Sequence, residues 1–272
     1  MSRHTVRSLA LATSICIACL PLPCGSAHAN DSIKIGGTGA ATELLRRLGS
    51  AFLGQGGIAV DVVPSLGSSG GISAVVDGVL DLAVSGRALK AEESSKGLAV
   101  PLTLRTPFVL ASSHPRPDGL RAAELPDAFV SERAAWSDGT AIRVILRPRS
   151  ESDTALIGEL FPGVASAIEK ARRRPDIPIA ATDQDNADLA EHTPGSLVGS
   201  TFMQIKAERR NLRAVAIDGI EPTFENFERG HYRYQKVLYF VTRVQVGATT
   251  ERFVDFLRSA EGQRLLREAY TL

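Results

Sequence analysis

The sequence predicts an α/β fold, and three observations lead to this class. Short apolar segments typical of strands alternate with amphipathic segments typical of helices, and glycine-rich turns separate them. The chain has 272 residues, which is enough for two small α/β lobes or one larger domain. Hydrophobic residues make up 44% of it and charged residues 22%, which is the composition of a globular protein and not of a disordered one.

Residues 1–29 have the pattern of a secretory signal peptide. Arg3 and Arg7 supply a charged start, residues 9–22 are apolar, and residues 27–29 (Ala-His-Ala) form a small-x-small cleavage site. The apolar stretch is shorter than the ~20 residues of a membrane span and contains proline, which argues against a membrane anchor. We expect this leader to be removed and the mature protein to be periplasmic.

Removal of the leader changes the chemistry of the chain. Cys16, Cys19 and Cys24 all lie within it, so the mature protein has neither a disulfide nor a thiol nucleophile. Without Arg3 and Arg7 the chain has 29 basic and 30 acidic residues, a net charge of −1. A net charge this close to zero excludes a strong overall electrostatic attraction to nucleic acid or to a membrane surface. Any anion site must therefore use local hydrogen-bond donors and local positive charge.

The first part of the mature chain repeats one unit: a strand, a polar turn and a helix. In order, the pattern predicts a strand over residues 32–35, a turn over 36–40, a helix over 44–52, a strand over 58–63, a glycine-rich turn over 67–71, a helix over 72–79 and a strand over 81–85. This alternation implies parallel strands, and ligands bind beyond the carboxyl ends of such strands. The polar turns therefore converge on one place.

The remainder is less regular. It contains apolar runs over residues 100–104 and 108–111, a loop over 114–119, a strand over 142–146, a polar turn over 150–154, helices over 155–160 and 165–174, a turn over 195–199, strands over 213–217 and 232–242, and a helix over 249–270.

The polar turns supply a candidate anion site. Turns that open helices offer unpaired backbone N–H groups and the positive end of the helix dipole, and hydroxyl groups and arginine add donors. Such residues are also ordinary helix caps, but three such turns at strand ends favour binding. The candidate ligand-binding residues are Thr38, Gly39, Ala40, Ser68, Ser69, Gly70, Ser85, Arg87, Arg147, Ser150, Ser152 and Thr154.

A serine hydrolase is the alternative enzyme hypothesis. Residues 67–71 read G-x-S-x-G between a strand and a helix, so Ser69 could be a nucleophile with His192 or His231 as its base. A second oxyanion motif is not visible in the sequence, so we predict a protein that is not an enzyme. We also predict neither a metal site nor a cofactor, because the histidines lack ligand spacing and the Gly37-x-Gly39 pattern lacks a third glycine.

One stretch of the chain resembles a known family. The segment V-P-S-L-G-S-S-G-G-I-S-A-V over residues 63–75, followed by D-L-A-V-S-G-R over 81–87, resembles the periplasmic phosphate-binding proteins of phosphate ABC transporters, in the type II periplasmic solute-binding protein superfamily. The segments over 37–41, 195–199, 223–242 and 253–263 are similar to further parts of that family, so the chain resembles a divergent member over most of its mature length.

The resemblance implies a two-lobed fold in which each lobe is a mixed sheet flanked by helices. Lobe one would contain residues 30–110 and 205–272, and lobe two residues 111–204. The protein would be a monomer that captures a small, phosphate-like oxyanion in the cleft between the lobes and delivers it to an ABC transporter permease. The resemblance implies that Ser68, Ser152, Thr154 and Arg147 bind the ligand. A divergent exported binding or signalling module is a third possibility.

The chain departs from the family pattern at the anion site. Glu151 and Asp153 flank Ser152, and Gly86 stands where some relatives have an aspartate that accepts a proton from phosphate. A carboxylate facing a bound anion is unfavourable. We therefore expect Glu151 and Asp153 either to point away from the ligand or to pair with basic groups such as Arg147 and Arg149. Otherwise the ligand is not a simple dianion.

Overall fold

The computed structural model describes residues 32–268. The predicted leader and its cleavage site lie outside these residues. Eight strands are described: β1 (Ile33–Gly37), β2 (Val60–Val63), β3 (Leu82–Ser85), β4 (Leu98–Ser112), β5 (Arg143–Val144), β6 (Ser196–Thr201), β7 (Arg213–Ala214) and β8 (Gln235–Arg243).

The helices are mostly short and lie on both sides of the strands. They are α1 (Thr42–Gly54), α2 (Gly67–Val76), α3 (Ala91–Ser94), α4 (Leu125–Val130), α5 (Ser152–Leu160), α6 (Val164–Ala171), α7 (Asp183–His192), α8 (Phe202–Ala207), α9 (Phe224–Glu228), α10 (Ala248–Arg258) and α11 (Ala260–Glu268). A 3₁₀ turn, Gly39–Ala41, precedes α1, and another, Ala122–Glu124, precedes α4.

The strands form one continuous sheet in the order β2-β1-β3-β8-β4-β6-β5, with β7 on the far end of β4. β1 pairs with β2 and β3 in parallel, as the strand–turn–helix repeat predicts. β8 and β4 run antiparallel to their neighbours, so the sheet is mixed. The predicted α/β fold with mixed sheets flanked by helices is confirmed.

The first section of the sheet contains β2, β1, β3 and β8, and both of its faces are buried. Successive side chains of each strand point to opposite faces. Ile33, Ile35 and Val84 point to one face and pack with α1, α10 and α11, whereas Ala83 points to the other face and packs with α2. Each face buries apolar side chains against helices, and this burial stabilises the section.

A second section continues from the far half of β4 through β6 and β5. Phe108 and Leu110 point to a face covered by α4, α5 and α6. Val109 and Ala111 point to the opposite face, which α7 and α8 cover. The two sections thus have separate apolar cores that meet along β4 and β8.

Several predicted boundaries were wrong. The predicted turn over 195–199 is mostly strand, since β6 begins at Ser196, and the predicted turn over 150–154 contains the start of α5 at Ser152. Residues 67–71 are not a separate turn but the first residues of α2, and only Gly67, with φ 68°, keeps a left-handed backbone at the helix start. The apolar runs over 100–104 and 108–111 belong to one strand, β4, with an irregularity between Ala99 and Leu102. The C-terminal helix is two helices, because Ser259 leaves the helical region with ψ 163°.

The predicted lobe boundaries at residues 110 and 204 stay a prediction. The apolar cores give a different grouping at one point: Val215, Ile217, Tyr232 and Tyr234 pack with Phe108 in the second section. The hydroxyl of Tyr232 donates to the carbonyl of Phe108 at 2.8 Å.

Candidate functional site

The first predicted turn lies at the end of β1 and requires glycine at its start. Gly37 has φ 120°, and a Cβ there would lie 2.1 Å from the carbonyl oxygen of Val84 in β3. The tight pairing with β3 directs the chain into the 3₁₀ turn Gly39–Ala41, which is buried. Thr38 and Ala40 therefore face the second section of the sheet.

The carboxylate of Asp183 occupies this turn. Its Oδ2 accepts the backbone N–H of Ala40 at 3.0 Å and the hydroxyl of Thr38 at 3.4 Å. Asp183 is the first residue of α7 in the second section, so these bonds cross from one section to the other. The adjacent Gln184 adds a bond from its Nε2 to the carbonyl of Gly39 at 2.9 Å.

Arg147 approaches the same carboxylate from the second section. Its Nη2 lies 3.4 Å from Oδ1 of Asp183 and 3.3 Å from a carboxylate oxygen of Glu151, and its Nη1 donates to the carbonyl of Ala180 at 2.8 Å. Arg147 is buried, and its Nε has no hydrogen-bond partner. Burial raises the pKa of Glu151, while the charge of Arg147 opposes this rise.

The second and third predicted turns meet beside Gly86. The hydroxyl oxygen of Ser68, at the start of α2, accepts the N–H of Gly86 at 2.9 Å. The same hydroxyl lies 3.4 Å from that of Ser152, which begins α5 in the second section. The two helix N-termini therefore face each other, as their positions at strand ends predict.

The side chain of Lys236 on β8 fills the space beside Gly86. A Cβ on Gly86 would lie 2.6 Å from Cε of Lys236. The Lys236 ammonium is fully buried and forms an ion pair with Asp153. Burial alone would lower the pKa of Lys236, but the carboxylates of Asp153 and Asp183 outweigh it and raise the pKa above its usual range.

These contacts surround a cleft between the two sections. The cleft is lined by Thr38, Ala40, Ser68, Ser152 and Arg147. Each charged group there has a partner of opposite sign, but the carboxylates outnumber the cations. Two cations, Arg147 and Lys236, face three carboxylates, those of Glu151, Asp153 and Asp183. Asp153 and Glu151 thus pair with basic groups, one of the outcomes that the sequence predicts, although Arg149 pairs with Glu169 instead.

Six other predicted site residues lie outside this cluster. Arg87 binds both carboxylate oxygens of Glu93, at 2.7 and 2.8 Å, and the hydroxyl of Ser69 at 3.0 Å. The hydroxyl of Ser85 donates to the carbonyl of Arg87, and that of Thr154 to the carbonyl of Pro148. Gly70 and Ser150 are exposed. A ligand-binding role for all twelve residues stays a prediction.

The sequence patterns missed Asp183 and Lys236. Residues 183–188 suggest a calcium loop only by composition, but Thr182 and Asp185 form a capping box that begins α7, and this is the signal that places Asp183 at a helix start. Lys236 precedes the apolar, aromatic part of β8 at a buried position, and a charge at a buried strand position is a signal for a buried partner.

The geometry does not support a serine nucleophile. The G-x-S-x-G segment is helical, and Ser69 is exposed with its hydroxyl bonded to Arg87. Within residues 32–268, His192 bonds its own helix at Asp188, and neither it nor His231 is bonded to Ser69. Over the same residues there is no group of three metal-ligating side chains, and no helix has the length and apolarity to cross a membrane.

The family follows from a match over most of the sequence. The model of a PBP superfamily domain matches residues 23–261. The chain belongs to the PBP superfamily. The family and fold of this PBP-superfamily chain are those of solute-binding proteins, as the sequence resemblance implies. A comparison with curated proteins finds no match.

Three solved structures share this PBP-superfamily fold. A phosphate ABC transporter substrate-binding protein from Clostridium perfringens, with bound phosphate, has a TM-score of 0.74 and 18% identity over 88% of this chain and 98% of that one. A phosphate transport receptor from Vibrio cholerae has a TM-score of 0.60 and 18% identity over 87% and 97%. The periplasmic molybdate-binding protein of Azotobacter vinelandii has a TM-score of 0.57 and 14% identity over 87% and 97%.

Proposed function

We propose that this protein is a periplasmic solute-binding protein that captures a small oxyanion in the cleft, with phosphate as the first candidate, and delivers it to an ABC transporter permease. One observation carries the proposal. Donors from separate turns, the N–H of Ala40, the hydroxyl of Thr38 and the guanidinium of Arg147, converge on the carboxylate of Asp183. A carboxylate is itself an oxyanion, so these donors have the arrangement that binds one.

The path of the chain supports a cleft that opens and closes. β4 pairs with β8 up to Pro107 and with β6 from Phe108, and β8 begins at Gln235, opposite Pro107. Tyr234 packs in the apolar core of the second section. We therefore propose that the chain crosses between the lobes twice, between residues 107 and 108 and between residues 234 and 235, and not between residues 204 and 205. Two adjacent strands crossing together form a hinge about which the lobes can rotate.

The class of ligand follows from the donors. Hydroxyl groups, backbone N–H groups and arginine suit tetrahedral and planar oxyanions alike. The proteins of the same fold from Clostridium perfringens and Azotobacter vinelandii bear the names of phosphate and molybdate binding. We expect a monomer that uses neither a cofactor nor nucleic acid.

Isothermal titration calorimetry tests the proposal. The mature chain is titrated with phosphate, arsenate, sulfate, molybdate and acetate at one ionic strength. We expect saturable 1:1 binding of at least one tetrahedral oxyanion, and phosphate to bind most tightly. An absence of heat for every oxyanion at millimolar concentration, in a protein with a cooperative thermal transition, would contradict the proposal.

Ser68→Ala tests the placement of the site. Loss of a hydroxyl that bonds a charged ligand lowers affinity about tenfold to hundredfold. Ser73→Ala is the matched control, because Ser73 is an exposed serine on the same helix. Calorimetry should show weaker binding for Ser68→Ala and wild-type binding for Ser73→Ala. Equal affinity in all three proteins would place the ligand elsewhere.

A further inference from the structure

Asp183 has the contacts of a bound ligand. Each of its carboxylate oxygens is engaged, Oδ2 by Thr38 and Ala40 and Oδ1 by Arg147. Its side chain is 8% exposed. Two of these partners, Thr38 and Ala40, belong to the first section, 145 and 143 residues away along the chain.

The helix that carries Asp183 does not need this side chain for its own start. The hydroxyl of Thr182 accepts the N–H of Asp185 at 3.0 Å, and the carboxylate of Asp185 accepts the N–H of Thr182 at 3.0 Å. This reciprocal pair caps α7. The Asp183 side chain reaches away from its helix to the opposite turn, so helix capping does not explain its position.

The neighbouring residue strengthens the same contact. Gln184 donates to the carbonyl of Gly39 at 2.9 Å and accepts the hydroxyl of Ser65 at 3.2 Å. The first two residues of α7 therefore dock onto the first section as a unit.

The donors that hold Asp183 are those that the proposed function gives to the oxyanion. A donor that is committed to Asp183 cannot bind an anion from solution without releasing it. A negative ligand next to a retained Asp183 would also face like-charge repulsion in a site from which water is largely excluded.

We propose that Asp183 is a built-in competitor for the anion site, which a ligand must displace, so that this residue sets the affinity and the range of anions bound. The inference rests on the proposed function. Binding exchanges the carboxylate of Asp183 for the incoming oxyanion and releases the start of α7 from the turn at Thr38.

Phosphate titrations of Asp183→Ala and Asp183→Asn test the inference. Asp183→Ala vacates the donors and should bind phosphate about tenfold to hundredfold more tightly than the wild type. Asp183→Asn retains an acceptor without the charge and should gain less. Asp188→Ala is the matched control, since it removes the same charge from the same helix at an exposed ion pair with Arg210. Its affinity should stay within about threefold of the wild type, because exposed charges are screened.

Hydrogen exchange on the wild type gives a readout that does not need a variant. If phosphate displaces Asp183, the amides at the start of α7 should exchange faster when phosphate is bound. Slower or unchanged exchange there would overturn the inference.

The outcomes separate the inference from the function on which it rests. If the wild type binds phosphate and both Asp183 variants, folded by circular dichroism, bind it equally or less tightly, Asp183 is only structural and the inference is overturned. If no variant and no wild-type protein binds any oxyanion, the proposed function itself fails.

Discussion

Glu151 and Asp153 each meet a different cation in the cleft. Two free carboxylates at ~4 Å from an anion would each cost about 4 kcal/mol at an effective dielectric near 20. Pairing with Arg147 and Lys236 offsets much of this repulsion, but it also uses the positive charge that a ligand would require. At the scale of single residues, the cations that could bind an anion are therefore paired with carboxylates of the protein itself.

Glu151→Gln tests the cost of burying this carboxylate. Burial raises the pKa of Glu151 above its usual 4.5. The folded protein therefore holds this proton more tightly than the unfolded chain, which stabilises the fold below pH 4.5. The stabilisation is lost as pH rises through the pKa of the folded state. We expect the free energy of unfolding of Glu151→Gln, measured by urea denaturation, to rise relative to the wild type between about pH 4 and pH 7.

Glu93→Gln is the control with the opposite sign. The hydrogen bond from Arg87 lowers the pKa of Glu93 to about 2, so the stabilisation from the ionised carboxylate is fully present above pH 4.5 and is lost as pH falls from 4.5 through about 2. Glu93→Gln should lose stability relative to the wild type as pH rises from about 2 to about 5. Parallel curves for the two variants would contradict the assigned environments.

The residues that local pattern could identify were those at helix starts. Ser68 and Ser152 stand in short motifs at strand ends, and the structure brings their hydroxyls together. The pairing of Lys236 with Asp153 spans 83 residues, and that of Ala40 with Asp183 spans 143. Contacts between distant segments depend on the sheet order, which a single sequence does not determine.

At the scale of elements, strands with clear alternation were predicted well and polar helices were not. The buried positions of β1 and β3 are apolar except for Ser85 at the end of β3, and both strands were located within two residues. The polar sequence D-Q-D-N-A-D-L-A-E-H of α7 has few apolar positions, so its periodicity is weak and only its capping box marks it. Tertiary contacts with β6 and the first turn, not intrinsic pattern, stabilise this helix.

Gly86→Ala tests how closely the elements approach at the cleft. A Cβ at Gly86 would lie 2.6 Å from Lys236 Cε and 2.7 Å from Ser152 Oγ. Overpacking of this kind costs about 1–3 kcal/mol, which corresponds to a fall in melting temperature of several degrees. We expect weaker phosphate binding as well, because Ser152 must shift.

Gly54→Ala is the matched control, since a Cβ there meets nothing within 4 Å at the end of α1. Thermal melts should show a loss for Gly86→Ala and no loss for Gly54→Ala. A wild-type melting temperature for Gly86→Ala would show that the sections are not packed as closely as described.

At the scale of the whole molecule, one sheet carries two sections, and each section has an apolar cluster on both faces. The sequence resemblance implies two lobes with two crossings, and the cores on β4 and β8 support that organisation. The sequence places the second crossing near residue 204, and the crossing that we propose lies instead after Tyr234, because residues 213–234 resemble other strands and turns in composition. Their assignment depends on Tyr232 and Tyr234 packing against Phe108 and Phe161.

Small-angle X-ray scattering tests whether the internal carboxylates hold the lobes together. The Asp183 and Asp153 bonds bridge the two sections, so ligand-free wild type should have a radius of gyration near the ~18 Å of a compact chain of this length. Asp183→Ala should be larger without ligand and return to the wild-type value with phosphate. Equal radii for both proteins, with and without phosphate, would contradict a lobe movement controlled by Asp183.

The most direct measurement is the position of a bound anion in crystals of the mature protein grown with arsenate, whose anomalous scattering identifies it. We expect one strong peak in the cleft, within hydrogen-bond distance of Thr38, Ser68 and Arg147, with the Asp183 side chain withdrawn from the turn. An arsenate peak found only outside the cleft, with Asp183 still bonded to Ala40, would contradict it.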